Sequence, residues 1–291
     1  DYNRFFTETD AAVPGAKLFK KQKQGVAWLY QRNSAILGDK TGTGKTLSTI
    51  AAAKMRVAQS GGRILIFTLK NTQTQWMREI VQKLGEDPAQ VSTNPASNAK
   101  WVIMSYSDIS SNVKKGPEGA IRRPSGAPTV ARATSQAYLD ALYAAQWTVV
   151  IFDEAHMLKN EATSIAKNLS DLAPKITFKW AASATPAANT AADIHNVLRI
   201  TGHTLGELST RDFTNEFIGS KATMKNMNVK EAIEAQEKGA YNLRKWLTLS
   251  GAYLSRSQKS MNPDIPQHTI GEEYIDEADF DMDGFAVELQ N

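Results

Sequence analysis

The 291-residue sequence contains no cysteine and only four histidines. The absence of cysteine excludes disulfide bonds, thiolate zinc sites and cysteine nucleophiles, and it suits a reducing compartment. The spacing of His156, His195, His203 and His268 fits no common zinc pattern, so the sequence predicts no structural metal site. No apolar run approaches the length of a transmembrane helix, and no signal peptide is evident. We therefore expect an intracellular protein without a membrane partner, cytoplasmic in a bacterial host or nuclear in a eukaryote.

The composition is that of an ordinary globular protein, with 42% hydrophobic residues. A chain of this length forms one large domain or two small ones. The net charge of +4 permits a nucleic-acid partner but is too small to argue for one by itself. Evidence for function must therefore come from local motifs.

A phosphate-binding motif is the strongest of these local signals. Residues 34–46 read as a short buried strand, a glycine-rich turn and the start of a helix. Glycines let successive backbone N–H groups point at one anion, and the helix N-terminus adds its positive dipole end. In such a motif Lys45 reaches the β- and γ-phosphates of ATP, and the Thr46 hydroxyl binds Mg²⁺. The predicted loop residues are Asp39, Lys40, Thr41, Gly42, Thr43, Gly44, Lys45 and Thr46. Taken alone, the motif is also compatible with a solvated Gly/Thr loop.

Strands and helices alternate along the chain. Four apolar runs predict strands at 63–68, 101–105, 147–152 and 175–182. Amphipathic segments predict helices between them, with Asn160 as one helix cap. Residues 85–99 read as a polar loop, and 205–255 read as mainly helical. The alternation indicates an α/β fold with a parallel sheet flanked by helices.

Two acids follow the most apolar of these strands. The run Trp147–Phe152 is apolar almost throughout, as expected of a central parallel strand, and it leads into Asp153 and Glu154. Open α/β sheets bind ligands at the carboxyl ends of their strands. Asp153 is therefore a candidate for holding Mg²⁺ through water, and Glu154 for orienting the attacking water. The alternative is a charged strand-to-loop exit, and the presence of a phosphate motif in the same chain argues against it.

A basic stretch at 111–135 interrupts the alternation and shows no apolar periodicity. Its charged residues are Lys114, Lys115, Glu118, Arg122, Arg123 and Arg132. The stretch is either a flexible, solvated loop or a basic arm that contacts a phosphate backbone.

The order of the motifs resembles that of superfamily 2 helicases, and more narrowly that of Swi/Snf-type DNA translocases. Residues 153–160, Asp-Glu-Ala-His-Met-Leu-Lys-Asn, are nearly the string of that subgroup. The other matching segments are the glutamine motif around Gln22, the nucleotide loop 38–46, Gln75-Trp76 with Glu79-Ile80, Ser105-Tyr106, Ser183 to Pro186, and 253–259. The resemblance covers roughly residues 17–270 and only the first of the family's two RecA-like lobes.

This resemblance implies a RecA-like P-loop NTPase lobe with a helical C-terminal extension. Its parts would be a lead-in at 1–16, the ATP-binding lobe at 17–204, the extension at 205–260 and a linker toward a second RecA-like lobe at 261–291. Because no motif of that second lobe follows, we expect the chain to be part of a longer motor, such as a compact phage or bacterial helicase.

The resemblance also implies roles for single residues. Gln22 would recognise adenine. Lys45, Asp153 and Glu154 would act in ATP hydrolysis, with Mg²⁺ held by Thr46 and, through water, by Asp153. The residues implied in coupling the nucleotide state to DNA are His156, Ser183, Ala184 and Thr185. The residues implied in DNA contact are Thr68, Lys70, Asn71, Ser105 and Tyr106.

The implied function is that of an ATP-dependent helicase or translocase on duplex, single-stranded or branched DNA. Its cofactors would be ATP and Mg²⁺, and its partners would be DNA and its own second lobe. Three alternatives stay open: the motor subunit of a restriction enzyme, an RNA helicase, and a nucleotide-binding scaffold without turnover.

Overall fold

A parallel β-sheet forms the centre of the protein. The computed structural model describes residues 2–110, 138–184, 193–217 and 229–256. The strands are β1 (Ser34–Leu37), β2 (Arg63–Thr68), β3 (Val91–Ser92), β4 (Trp101–Ser105), β5 (Trp147–Asp153), β6 (Phe178–Ala182) and β7 (Tyr253–Leu254). They form one sheet in the order β3-β4-β2-β5-β6-β1-β7, and each pairing is parallel. The predicted α/β fold is confirmed.

Helices flank the sheet on both faces. They are α1 (Tyr2–Ala12), α2 (Lys20–Tyr30), α3 (Lys45–Ser60), α4 (Gln73–Leu84), α5 (Ser164–Leu172), α6 (Asp193–Thr201), α7 (Thr210–Phe217) and α8 (Val229–Leu249). Residues 138–144 are also helical. Three sequence predictions lie outside the described residues: the basic stretch at 111–135, the coupling role of Thr185 and the linker at 261–291.

Side chains of the inner strands alternate between two hydrophobic cores. In β2, Leu65 and Phe67 enter one core, whereas Ile64 and Ile66 enter the other. Helices α1 to α4 pack on the Ile64 face, and α5 to α8 pack on the Leu65 face. Because both faces of the sheet are covered, the inner strands are apolar throughout rather than alternating with polar residues.

Two short edge strands were absent from the sequence prediction. Val91 pairs with Trp101, so the loop prediction for 85–99 is wrong at β3. Tyr253 pairs with Ile36, so the helical prediction for the end of 205–255 is wrong at β7. A strand of two residues carries no periodicity of its own, and its conformation is set by the neighbouring strand that it pairs with.

The cap of α5 also differs from the prediction. Thr163 precedes the helix, and its Oγ1 accepts a hydrogen bond from the Ala166 N–H at 3.2 Å. Asn160 instead accepts a hydrogen bond from the Ala162 N–H at 2.9 Å, which closes a turn just before the helix. Both residue types form such local bonds readily, so the sequence alone did not decide between them.

The longest described helix, α8, ends beside β7. It has 21 residues and buries Leu243 and Leu247 in the core that covers the Leu65 face. Across the four described ranges, no helix has both the length and the apolar character needed to cross a membrane.

Candidate nucleotide-binding site

The sheet brings the phosphate loop and the acidic motif to the same edge. Strand β1 ends at Leu37 and β5 ends at Asp153, and both of these residues pair with Ala182 of β6. The two strand ends therefore lie at one level, two strand spacings or about 10 Å apart. Because the strands are parallel, this is the carboxyl edge, where open α/β sheets bind their ligands.

The loop after β1 has a backbone suited to an anion. Gly42 has a φ of +77° and Gly44 a φ of +80°, a region that side chains disfavour. A Cβ on Gly44 would clash with the side-chain amide of Gln22. Helix α3 begins at Lys45, so its free N–H groups and positive dipole end face the loop. These features together form a cradle for a phosphate group.

Lys45 lies inside this cradle. Its Nζ donates hydrogen bonds to the carbonyl oxygens of Asp39 at 2.7 Å and Lys40 at 3.1 Å. Burial lowers the pKa of Lys45, while the carboxylates of Glu154, Asp39 and Asp153 oppose that change. The charge of the ammonium group is therefore favoured by both acids of the motif at the end of β5.

Gln22, at the start of α2, connects that helix to the loop. Its Oε1 accepts a hydrogen bond from the Phe19 N–H at 3.0 Å, and its Nε2 donates one to the Thr43 carbonyl at 3.1 Å. The residue is 7% exposed. Both the oxygen and the nitrogen of the amide already form a hydrogen bond within the protein. Gln22 could recognise adenine only through the second N–H of its Nε2 or the second lone pair of its Oε1, so this role stays a prediction.

Two neutral donors hold the carboxylate of Asp153. Its Oδ2 accepts hydrogen bonds from Thr68 Oγ1 at 2.7 Å and Trp76 Nε1 at 2.9 Å. Burial raises the pKa of Asp153, and these two hydrogen bonds oppose the rise. Sequence reasoning singled out Thr68 and Trp76 as motif residues but missed that both donate to Asp153.

The backbone of Asp153 is fixed as well. The Tyr106 hydroxyl donates a hydrogen bond to the Asp153 carbonyl at 2.7 Å. The Tyr106 ring stacks on Phe67 with a centroid distance of 5.8 Å, and Phe67 stacks on Phe152. Burial beside Asp153 and Glu154 raises the pKa of Tyr106 well above its usual range, so it remains a donor.

Glu154 has a strained backbone and a charged side chain. Its φ of +48° is the single positive φ at a residue other than glycine in the described ranges. Such strain concentrates at functional sites. The Glu154 carboxylate lies 3.1 Å from His156 Nδ1. The His156 ring, and less strongly Lys45, lower the pKa of Glu154 against the opposing effect of partial burial. Glu154 is therefore a carboxylate at neutral pH.

The predicted coupling residues lie beside this edge. His156 is in contact with Glu154, as described above. The Ser183 N–H donates to the Leu37 carbonyl at 3.2 Å, which joins the end of β6 to the entrance of the phosphate loop. Ala184 is half-buried next to it, and Thr185 lies outside the described residues.

The residues predicted to contact DNA fall into two groups. Thr68, Ser105 and Tyr106 are at most 2% exposed, and their hydroxyl groups form hydrogen bonds inside the protein. Lys70 and Asn71 are exposed in the turn after β2. The burial argues against phosphate contact through the hydroxyl groups of the first three residues, and their DNA contact stays a prediction. DNA contact stays a prediction for Lys70 and Asn71.

The oxygen donors at this edge fit Mg²⁺. No group of three His, Cys, Asp or Glu side chains in the described residues is placed to hold a metal ion by itself. Mg²⁺ prefers oxygen ligands and is usually bound by one or two protein oxygens, several waters and the phosphates of a nucleotide. The Thr46 hydroxyl at the start of α3 and the fixed Asp153 carboxylate are donors of this kind.

The strand order, the phosphate loop after β1 and the two acids after β5 define a RecA-like P-loop NTPase lobe. A family model identifies the chain more narrowly than this fold class does. The chain belongs to the SNF2-related domain family, whose model matches residues 21–276.

Curated relatives agree with this family. The chain is 24% identical over 265 residues to the mouse "Chromodomain-helicase-DNA-binding protein 1-like", a match that covers 88% of this chain and 26% of that protein. It is 28% identical over 182 residues to the yeast (Saccharomyces cerevisiae) "ISWI chromatin-remodeling complex ATPase ISW2", covering 56% of this chain and 14% of that protein. The chain thus spans about a quarter or less of the length of these relatives.

Solved structures confirm the fold. The "SWI2/SNF2 ATPase core in complex with dsDNA" of Sulfolobus solfataricus superposes with a TM-score of 0.58 at 18% identity, covering 84% of this chain and 45% of that one. The "SWI2/SNF2 ATPase core domain" of the same organism superposes with a TM-score of 0.57 at 20% identity, covering 83% of this chain and 43% of that one.

Proposed function

We propose that this chain is the nucleotide-binding lobe of an ATP-driven motor that moves along or unwinds DNA. One observation carries the proposal. The phosphate loop and the Asp153–Glu154 pair lie at one level of the sheet, and Lys45 in the loop is near enough for both carboxylates to favour its charged form. A phosphate cradle, a site for a metal and a carboxylate for the attacking water are the parts that phosphoryl transfer to water requires.

Each residue has a distinct task in this proposal. Lys45, beside the loop carbonyls of Asp39 and Lys40, would contact the β- and γ-phosphates and stabilise the charge that develops there. Glu154, ionised and held beside His156, orients and polarises the attacking water. Thr46 and Asp153 would hold Mg²⁺, which neutralises phosphate charge when it is bound.

Coupling and DNA contact involve the neighbouring segments. His156 touches Glu154, and the Ser183 backbone bonds to the strand that feeds the loop. These contacts support a role for both residues in responding to nucleotide state. Lys70 and Asn71 are exposed two and three residues after Thr68, which itself bonds to Asp153. An exposed basic residue so near in sequence to a donor of Asp153 supports DNA as the partner. The dsDNA in the structural neighbour adds support by analogy.

The whole motor is larger than this lobe in our proposal. The ATP-binding lobe at 17–204, the extension at 205–260, the linker at 261–291 and a second lobe that completes the site follow the family resemblance. The return of β7 to the sheet ties the end of the extension to the lobe. Such a motor would act where DNA is kept, in the bacterial cytoplasm or the eukaryotic nucleus.

The deciding experiment measures ATP turnover by the full-length protein with no nucleic acid, single-stranded DNA, duplex DNA, forked DNA and RNA. We expect strong stimulation by duplex or forked DNA. Better stimulation by RNA would favour an RNA helicase, and turnover that responds to no nucleic acid would contradict the DNA motor. No turnover under any condition, with nucleotide still bound, would indicate a scaffold. A strand-displacement assay then separates unwinding from translocation.

A further inference from the structure

Residues 254–256 lie against the entrance of the phosphate loop, although Ser255 and Gly38 are 217 positions apart in sequence. The Gly38 N–H donates to the Leu254 carbonyl at 2.7 Å, and the Lys40 N–H donates to the Arg256 carbonyl at 3.2 Å. Ser255 Oγ donates to the Gly38 carbonyl at 2.9 Å. The ladder between β1 and β7 therefore continues past the end of β1 and holds the backbone of the first loop residues.

Between these bonds lies a buried ion pair. Arg256 Nη2 is 2.5 Å from Asp39 Oδ2, and its Nε donates to Oδ1 at 3.0 Å, a two-pronged contact. The Asp39 side chain is 1% exposed and the Arg256 side chain 11% exposed. A carboxylate this buried is costly unless an opposite charge accompanies it, so Arg256 is a condition for Asp39 to occupy this position.

The same guanidinium reaches the other segment that frames the loop. Arg256 Nη1 donates a hydrogen bond to the Lys21 carbonyl, next to Gln22, whose Nε2 in turn bonds to Thr43 in the loop. A Cβ on Gly25 would clash with Arg256 Nη2, so glycine leaves room for the guanidinium. Arg256 thus joins the loop entrance to the glutamine segment on its far side.

We propose that Arg256 is a positioning residue that fixes the phosphate loop in the shape that accepts nucleotide. This role rests on the proposed function, because Arg256 acts on the same site. Arg256 holds Asp39, and the Asp39 carbonyl accepts the hydrogen bond from Lys45 Nζ at 2.7 Å. Arg256 itself touches the loop through Asp39 and the backbone, so its effect falls on the order of the cradle and not on the chemical step.

This role makes a kinetic prediction. Without Arg256 the loop must become ordered at the moment of binding, which weakens nucleotide affinity. Glu154, Asp153 and their supports are untouched, so the rate of the bound complex is preserved. For Arg256→Ala in the full-length protein we expect a KM for ATP raised about tenfold with kcat changed less than about twofold, the pattern of lost binding without lost chemistry.

Affinity is measured directly with the fluorescent ADP analogue mant-ADP. We expect Arg256→Ala to bind mant-ADP about tenfold more weakly and Arg256→Lys, which keeps the charge but loses the planar fork, about threefold more weakly. The matched control is Arg63→Ala. Arg63 bonds to the Ala99 carbonyl and packs on Trp147 at the opposite edge of the sheet, so its loss should lower Tm but leave mant-ADP affinity unchanged.

A double-mutant cycle tests whether Arg256 acts through Asp39. We expect Asp39→Asn and Arg256→Ala each to weaken mant-ADP binding. The affinity of the double variant should be no lower than that of whichever single variant binds less tightly. Fully additive losses would overturn the proposal. If Arg256→Ala does not fold, Arg256→Lys carries the same comparison with the wild type.

The outcomes separate this inference from the proposed function. In one outcome the wild type binds mant-ADP, Lys45→Ala binds it more weakly, and both Arg256 variants bind it as the wild type does. This outcome would overturn the positioning role alone. A wild-type protein that binds no mant-ADP would overturn the nucleotide site and the positioning role together. A fall in kcat with unchanged KM would assign Arg256 to the chemical step and also contradict the proposal.

Discussion

Two aspartates lie at the same edge of the sheet and are held in opposite ways. Asp39, after β1, is paired with the guanidinium of Arg256. Asp153, at the end of β5, is held by the hydroxyl of Thr68 and the indole N–H of Trp76, which are neutral donors. The charge of Asp39 is thus cancelled inside the protein, whereas the charge of Asp153 is oriented but not cancelled.

This difference separates a structural carboxylate from one that is available for chemistry. Asp39 contributes its backbone carbonyl to Lys45, and its side chain anchors the loop. Asp153 keeps a net charge in a partly buried position, where burial raises its pKa. A cation brought to that position by a nucleotide would relieve this cost, as expected of a metal-binding carboxylate. The fully buried Asp39 is therefore structural, whereas the partly buried Asp153 is available for chemistry.

The largest expected effect concerns Glu154, the neighbour of the available aspartate. Glu154→Gln keeps the size and the left-handed backbone position but removes the charge that polarises water. We expect ATP turnover to fall by more than about 100-fold, within the range for loss of a general base, with mant-ADP affinity nearly unchanged. Steady-state turnover and mant-ADP titration measure the two quantities.

Glu161→Gln is the control for Glu154→Gln. Glu161 is an exposed acid of the same segment, and it lies 3.3 Å from Arg199, away from the loop. Its variant should retain turnover within about twofold of wild type, as surface substitutions usually do. Normal turnover by Glu154→Gln would contradict the assignment of Glu154 as the base. It would also contradict the view that the acids at the end of β5 serve the chemistry.

The second prediction sets the two aspartates directly against each other. Asp39→Asn leaves Arg256 without its charge partner and should lower stability by about 3 kcal/mol. Asp153→Asn should raise Tm at neutral pH. The folded pKa of Asp153 is raised, so its contribution to stability is fully present below the ordinary value of 3.8 and is lost as pH rises through the folded pKa. The asparagine side chain of the variant does not ionise, so the variant keeps this stability at neutral pH.

Thermal melts without nucleotide or divalent metal, at neutral pH and near pH 3, measure both effects. The gain from Asp153→Asn should disappear at the lower pH, which lies below the ordinary value of 3.8, so that the carboxyl is mostly protonated in both the folded and the unfolded state. Two variants that shift Tm in the same direction at neutral pH would break the contrast between the aspartates.

Much of this edge is predictable from sequence because its parts are local. Lys45 and Thr46 follow a glycine turn, and Asp153 and Glu154 follow an apolar strand, so each motif carries its own pattern. The Asp39–Arg256 pair is not predictable in this way, since the two residues meet only after β7 has joined the sheet. The motif around Arg256 is visible in the sequence, but its partner is not.

The donors to Asp153 were missed for a related reason. Trp76 looks in sequence like one of the apolar residues of α4, and its ring is indeed 2% exposed. Its indole N–H reaches Asp153 at the end of β5, a tertiary contact that no sequence period marks. Thr68 was predicted from the sequence to contact DNA. It is buried at the end of β2, where its hydroxyl donates to Asp153.

A smaller effect is expected from Trp76→Phe, which keeps an aromatic ring but removes one donor to Asp153. We expect a loss of stability of about 1 kcal/mol, typical of one hydrogen bond. The hydrogen bond lowers the pKa of Asp153, so its removal should raise that pKa further. The acidic limb of the pH profile of kcat/KM should then move to higher pH.

Trp101→Phe is the matched control for Trp76→Phe. Trp101 is fully buried in β4, and within the described residues its Nε1 has no hydrogen-bond partner. Removing that N–H should not cost a hydrogen bond and should leave the pH profile in place. Identical pH shifts in the two variants would show that Trp76 does not act on Asp153.

The smallest expected effect asks whether the surface beside Asp153 also faces DNA. Lys70 follows the strand that carries Thr68, and its side chain is 69% exposed. If it neutralises one phosphate, Lys70→Gln should weaken duplex binding about equally for all sequences and reduce the slope of log K against log salt by about 1. ATP turnover without DNA should be unchanged.

Lys83→Gln makes the same change of charge at the other end of α4. Lys83 is exposed in the last turn of that helix, so it lies toward the opposite edge of the sheet from Lys70. Its variant should keep the salt dependence of the wild type. Equal slopes for both variants would mean that DNA does not follow the turn after β2. The acidic side of the site would then communicate with DNA through His156 or Ser183 rather than through Thr68 and Lys70.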